Sequence, residues 1–140
     1  MVLVWLVELS KLYGRPVPFC SRRILKEALE KLKPFEFICG LEIEFHVFRV
    51  RDANLRPADA GQPGTPPDVE LLTTGYQYLT ENRYDQIDPV IQILQKELSL
   101  LDLPLRSFEV EYGPSQFEIT FDPAGGLDSA DNMVLFRSGV

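Results

Sequence analysis

The chain has 140 residues and a mass of 16.0 kDa; it is 45% hydrophobic and 25% charged, with a formal charge of -7 and a pI near 4.7. That length is one ordinary domain or a piece of a larger one, and the composition excludes a wholly disordered or fibrous chain. The acidic balance argues against a nucleic-acid partner whose phosphates must be met, and no apolar run approaches the roughly 18–20 residues of a membrane span.

Two cysteines, Cys20 and Cys39, lack metal-type spacing. They fit a reducing compartment, and a cytoplasmic protein is expected.

The opening run MVLVWLVEL is apolar but short, and Glu8 interrupts it. Without a basic lead or a cleavage site it reads as a buried strand over residues 2–8 rather than a signal peptide. A turn through Tyr13-Gly14-Arg15-Pro16 follows. Ser21 to Leu32 then reads as a helix. Ser21 is the candidate N-cap, Ile24, Leu25, Ala28, Leu29 and Leu32 form the apolar stripe, and Pro34 ends it.

Residues 36–51 read as one long strand, with Gly40 as a possible bulge site. Leu41, Ile43, Phe45 and Val47 point to one face; Glu42, Glu44 and His46 point to the other. Residues 52–71, with four prolines and two glycines, read as a long surface loop. Asp85 to Leu101 is the second helix, with Ile87, Val90, Ile91, Ile93, Leu94 and Leu98 as its apolar face and Pro89 tolerated in its first turns.

Residues 106–112 and 116–122 read as a hairpin around Gly113-Pro114-Ser115. With Glu111 opposite Glu118, Phe108 meets Phe121, Val110 meets Ile119 and Tyr112 meets Phe117. The opposite face then holds Glu109, Glu111, Glu118 and Thr120. A last helix opens at Asp128 or Ser129 and runs through Met133 and Phe136 into the terminus without a stop. On that ground the chain is expected to be cut from something longer.

The chemistry-bearing pattern is two pairs of carboxylates, Glu42 with Glu44 and Glu111 with Glu118, each on one strand face. Like charges facing each other on a ladder destabilise it. Two remedies are open. A fully wet acidic face lets solvent screen the charges, and a divalent ion such as magnesium or manganese neutralises them with oxygen ligands. Gln116 and His46 lie two residues from Glu118 and Glu44 on the same faces.

In order, spacing and context these segments resemble the glutamine synthetase family. YGRPVPFCSRRILKEALEKL is similar to the turn and amphipathic helix that open its catalytic domain. GLEIEFHVF resembles its Glu-x-Glu-Phe strand, VEYGPSQFEITFDP its Glu-x-Gly-Pro-Gly-Gln-x-Glu hairpin, and SADNMVLFRSGV the helix that follows.

The resemblance implies that Glu44, Glu111 and Glu118 hold one divalent ion and that Glu42 helps hold a second. It assigns no catalytic residue within this chain. Ser115 stands where the family has a glycine, and His46 where it usually has another aromatic.

The implied fold class is α+β: an antiparallel sheet carrying the carboxylates, with helices on its other face. Residues 1–15 would end an N-terminal region or form an interdomain strand, and residues 16–140 would begin the catalytic domain. The implied reaction is ATP-dependent ligation of ammonia to glutamate through γ-glutamyl phosphate, with Mg2+ or Mn2+ as cofactor, in a homo-oligomer. The alternatives are a ligase making another γ-glutamyl amide, and a non-catalytic protein that keeps the fold. The resemblance also places the remaining active-site residues later in the chain, so the 140 residues alone would be inactive.

Overall fold

The computed structural model describes residues 14–54 and 56–140. The strand expected at residues 2–8 lies outside the described residues. The element order is α1 (Ser21–Leu32), β1 (Ile38–His46), β2 (Phe48–Val50), β3 (Val69–Leu71), α2 (Glu81–Ser99), β4 (Leu105–Val110), β5 (Gln116–Gly125) and α3 (Gly126–Gly139). This is an α+β arrangement. β1, β5 and β4 form a three-stranded sheet with β5 at its centre; β2 and β3 form a separate two-stranded one.

The chain divides into two compact units. Of the described residues, one unit comprises those up to Glu42 with Leu94–Arg106 and Thr120–Val140; the other comprises those of Ile43–Ile93 and Ser107–Ile119.

In the first unit, α1 has the expected bounds, but its N-cap is Cys20, with no side-chain cap, rather than Ser21. Arg22 forms a two-pronged ion pair with Asp131 of α3; its Nη2 lies 2.9 Å from Oδ2. α3 starts earlier than the Asp128–Ser129 cap expected from sequence, with Gly125 as N-cap. Ser129 is therefore inside the helix, buried, and its hydroxyl donates to the Cys39 carbonyl at 3.1 Å. The buried Phe136 packs edge-on against Phe121 of β5. A β-carbon on Gly126 would come within 2.8 Å of the Phe37 ring, so this helix start approaches its neighbour as only glycine allows.

In the second unit, Ile87 and Ile91 of α2 pack with Val110 and Phe117, and Phe45, Val47, Leu72, Tyr84 and Phe108 surround them. The apolar face of the sheet is thus covered by helix, as the alternation of residues along its strands requires. Ile93, expected on the apolar face of α2, is 63% exposed: the helical period carries it away from Ile87 and Ile91. α2 begins one turn earlier than its hydrophobic period suggested, because the Thr80 carbonyl accepts the Arg83 and Tyr84 amides.

The long strand expected over residues 36–51 is two strands. After β1 the chain changes partner, and β2 pairs antiparallel with β3: Phe48 with Leu71, Arg49 with Glu70, Val50 with Val69. Part of the 52–71 loop is accordingly structured, by β3 and by a short 3-10 turn at Pro57–Asp59. Arg49 and Arg51 both bond the Glu70 carboxylate, at 2.7 and 3.0 Å. The Arg49 hydrogen bond, aided by the charges of both arginines and opposed by slight burial, holds the Glu70 carboxyl below its ordinary range.

Candidate metal-binding face

Side-chain alternation sets the site. Along β5, Phe117, Ile119 and Phe121 are buried while Gln116, Glu118 and Thr120 are half-buried on the opposite face. Along β1, Ile43 is buried, Phe45 joins the core, and Glu44 and His46 are exposed on the other side. Along β4, Val110 is buried and Glu109 points away from it. Glu111 follows β4 immediately and lies opposite Gln116, to whose carbonyl its amide donates.

Glu44, Glu111, Gln116 and Glu118 thus share the non-core face of one sheet. Glu42, two residues earlier on the same side of β1, is exposed and belongs to the other unit.

The hairpin register differs from expectation at its tip. The Glu111 amide donates to the Gln116 carbonyl at 3.0 Å, so Glu111 meets Gln116 rather than Glu118. An offset of two residues leaves each side chain on its expected face, because the strand period is two. Tyr112 does not face Phe117 in the core. It lies in the turn, 59% exposed, edge-on to Tyr76.

The turn itself closes through the Gln116 amide and the Gly113 carbonyl, 3.1 Å apart. Pro114 occupies its second place and Ser115 its third, with φ 54°. A type II turn needs a positive φ at that third place, which is why glycine is usual there. Across the turn, Gly75 has φ 71°, and a β-carbon on it would sit 2.6 Å from the Pro114 nitrogen.

Three consecutive turn residues bond β1 and the residue after it. The Pro114 carbonyl accepts from His46 Nδ1 at 2.8 Å, the Ser115 carbonyl accepts the Val47 amide at 3.0 Å, and Gln116 Nε2 donates to Glu44 Oε2 at 2.5 Å. Gln116 Oε1 accepts the Gly113 amide at 2.8 Å, which fixes which end of the side-chain amide faces Glu44.

Because a carbonyl can only accept, His46 Nδ1 carries the proton, and in the neutral ring Nε2 keeps its lone pair. The ring also stacks on Phe48, with centroids 5.9 Å apart and planes 3° apart. A flat ring is therefore still used at this position, with a hydrogen bond that a phenyl ring could not make.

The donor set fits a hard divalent cation in kind: three carboxylates on one face, with an amide holding one of them in orientation. The fit is not complete in placement. Among the described residues, no three His, Cys, Asp or Glu side chains are gathered closely enough to hold an ion. Glu44 is engaged by Gln116, and the Glu111 carboxylate folds back on the Tyr112 amide at 3.2 Å. Holding one ion would require these carboxylates to come closer together than they stand here.

Gln77 was not singled out from the sequence, and Ser115 only as a replacement for glycine. Gln77 Nε2 donates to the Glu111 carbonyl at 3.5 Å, and its Oε1 accepts the amide of Thr80, the residue before α2, at 2.9 Å. Ser115 is fully buried and polar. The non-glycine residue at the third place of the Gly-Pro-x-Gln turn was visible in the sequence; its burial and its bonding were not. No helix among the described residues is long and apolar enough to cross a membrane.

The glutamine synthetase catalytic-domain profile matches residues 18–140. Over 140 aligned residues the chain is 40% identical to γ-glutamylanilide synthase from Acinetobacter sp, covering 96% of this chain and 28% of that protein. It is 26% identical to glutamate–methylamine ligase of Methyloversatilis universalis over 129 residues, covering 91% of this chain and 27% of the relative. A solved structure described as a GmaS/ADP complex shares the fold, with a TM-score of 0.63 and 23% identity, over 90% of this chain and 27% of that one. The chain thus spans little more than a quarter of the length of the relatives it matches. With the matched segment covering most of its length, the chain belongs to the glutamine synthetase family, through the catalytic domain.

Proposed function

We propose that the protein joins an amine to the side-chain carboxylate of glutamate, using ATP, and that this chain supplies the acidic face of the active site. The observation that carries the reading is the shared face of Glu44, Glu111 and Glu118, in a chain 40% identical to γ-glutamylanilide synthase. In the proposal these three residues hold one Mg2+ or Mn2+ ion, and Glu42 contributes to a second.

Divalent ions held by these residues would supply neutralisation of the repulsion between the anionic phosphate chain and the anionic carboxylate. The residues of this chain hold and orient. Gln116 keeps Glu44 aimed from β1, the Gly113–Gln116 turn fixes Gln116, and Tyr112 and Tyr76 border the same turn. The acidic face would thus be the means by which a chain of charge -7 draws in ATP.

In the reaction, a glutamate carboxylate oxygen attacks the terminal phosphorus and ADP leaves. The amine nitrogen then attacks the acyl carbon, phosphate leaves, and the nitrogen loses a proton.

Three acceptor classes are distinguished by specific likenesses. The relative named for an anilide favours an aryl amine, the one named for methylamine an alkyl amine, and the family's glutamine synthetase name ammonia. The test is to incubate the protein with ATP, glutamate and, in parallel, ammonia, methylamine and aniline, and to weigh the products. A γ-glutamyl amide formed with one of these, and lost in Glu118→Ala, supports the reading. ATP hydrolysis without any amide, or amide formation unaffected by Glu118→Ala, contradicts it.

A further inference from the structure

Ser115 holds a backbone conformation that glycine would adopt without strain. What serine adds is a hydroxyl, and that hydroxyl is not idle. It is buried completely and accepts the Leu72 amide at 2.7 Å and the Thr73 amide at 3.2 Å. It also faces the Thr73 carbonyl at 3.4 Å, which accepts the Ser115 amide at 3.0 Å.

The hydroxyl therefore ties the segment after β3 to the back of the turn. From the front of the same turn, Ser115 and its two neighbours bond Val47, His46 and Glu44.

We propose that Ser115 is a positioning residue of the acidic face: its hydroxyl locks the Gly113–Gln116 turn onto the Leu72–Thr73 segment and thereby holds the Gln116 amide against Glu44. The inference rests on the divalent-ion reading given above. Removing the hydroxyl deletes the bonds to the Leu72 and Thr73 amides and leaves the Ser115 amide–Thr73 carbonyl bond to hold the back of the turn, so the turn is held less firmly and the Gln116–Glu44 bond loosens with it. Outer groups that orient a ligand typically alter metal affinity by roughly 10–100-fold when removed.

The experiment compares the unsubstituted protein with Ser115→Gly, Gln116→Ala and the double variant. Mn2+ affinity is measured by electron paramagnetic resonance, and the Gln116 side-chain NH2 signals are followed by NMR without metal. Ser115→Gly is expected to weaken Mn2+ binding about ten-fold and to move the Gln116 NH2 signals toward those of a free glutamine. In the Gln116→Ala background the same substitution is expected to add little, because both act through one bond.

A role in backbone stability alone predicts the opposite pattern: unchanged NH2 signals and additive losses. Either overturns the proposal. Should Ser115→Gly fail to fold, the unsubstituted protein still decides. Coupling is reciprocal, so saturating Mn2+ must slow hydrogen exchange at the Leu72 and Thr73 amides, and unaltered exchange overturns the proposal. Absence of any Mn2+ binding by the unsubstituted protein would sink the divalent-ion reading itself, and the positioning role with it. Binding that is intact but indifferent to Ser115→Gly sinks only the latter.

Discussion

Gln116 Nε2 donates to Glu44 Oε2 across 2.5 Å, while Oε1 of the same side chain accepts the Gly113 amide. One neutral side chain thus reaches from the hairpin turn to a carboxylate 72 residues earlier in the sequence. The bond is charge-assisted, and such bonds are roughly twice as strong as neutral ones. It orients a candidate metal ligand before any ion arrives.

Gln116→Ala releases Glu44 and removes the acceptor of the Gly113 amide. Mn2+ affinity is expected to fall roughly ten-fold, with the helical circular dichroism unchanged. Calorimetric titration at fixed pH checks it; equal affinities would show that the Glu44–Gln116 bond plays no part in ion binding.

Gly75→Ala meets two obstacles at once. Its φ of 71° disfavours any β-carbon, and that carbon would stand 2.6 Å from the Pro114 backbone nitrogen. The chain is expected to lose about 2 kcal/mol of stability, the scale of one strained backbone position. Urea unfolding measures this, and a change under half a kilocalorie would count against the close approach.

Ile91→Ala removes a side chain that is 1% exposed and packs with Ile87, Val110 and Phe117 beneath the acidic face. A loss of about 3 kcal/mol is expected, from transfer plus residual cavity. Glu42→Gln, at an exposed position of β1, is expected to stay within about 0.5 kcal/mol of the parent. The pair of urea curves separates the packing face from the chemical face.

Acid should loosen the β2–β3 ribbon. The Glu70 carboxyl is held below its ordinary range by the Arg49 hydrogen bond first, with help from the charges of Arg49 and Arg51. A depressed carboxyl contributes stability that is present above its unfolded pKa and is lost as pH falls through its folded value. Amide exchange at Arg51, whose N–H donates to the Asp68 carbonyl at 2.8 Å, should therefore accelerate as pH falls through the acidic carboxylate range, after correction for intrinsic rates. Glu70→Gln should remove that dependence. A ribbon equally protected throughout would refute the assignment.

The alternation along β1 and β5 was legible from sequence because both strands bury one face: Ile43, Phe45, Phe117, Ile119 and Phe121 fix the inside, and the glutamates follow by parity. α1 was legible to its bounds, since Pro34 and the apolar period agree. The break after His46 was not, because no proline or glycine marks it; the chain changes partner there, a tertiary event that leaves the alternation intact. The hairpin tip was misplaced by two residues because parity cannot tell a register from one shifted by a full strand period. The role of Ser115 was hidden since its bonding partners, Leu72 and Thr73, lie some 43 and 42 residues away in sequence.

The central claim is that Glu44, Glu111 and Glu118 act together on a divalent ion, and a Mn2+ titration followed by electron paramagnetic resonance tests it most directly. Free Mn2+ gives a sharp six-line signal that broadens on binding, so the bound fraction is read without a coupled assay. The account predicts saturable binding by the unsubstituted protein, weakened at least ten-fold in each of Glu44→Gln, Glu111→Gln and Glu118→Gln while all three remain folded. Absence of saturable binding, or binding indifferent to all three substitutions, would contradict it.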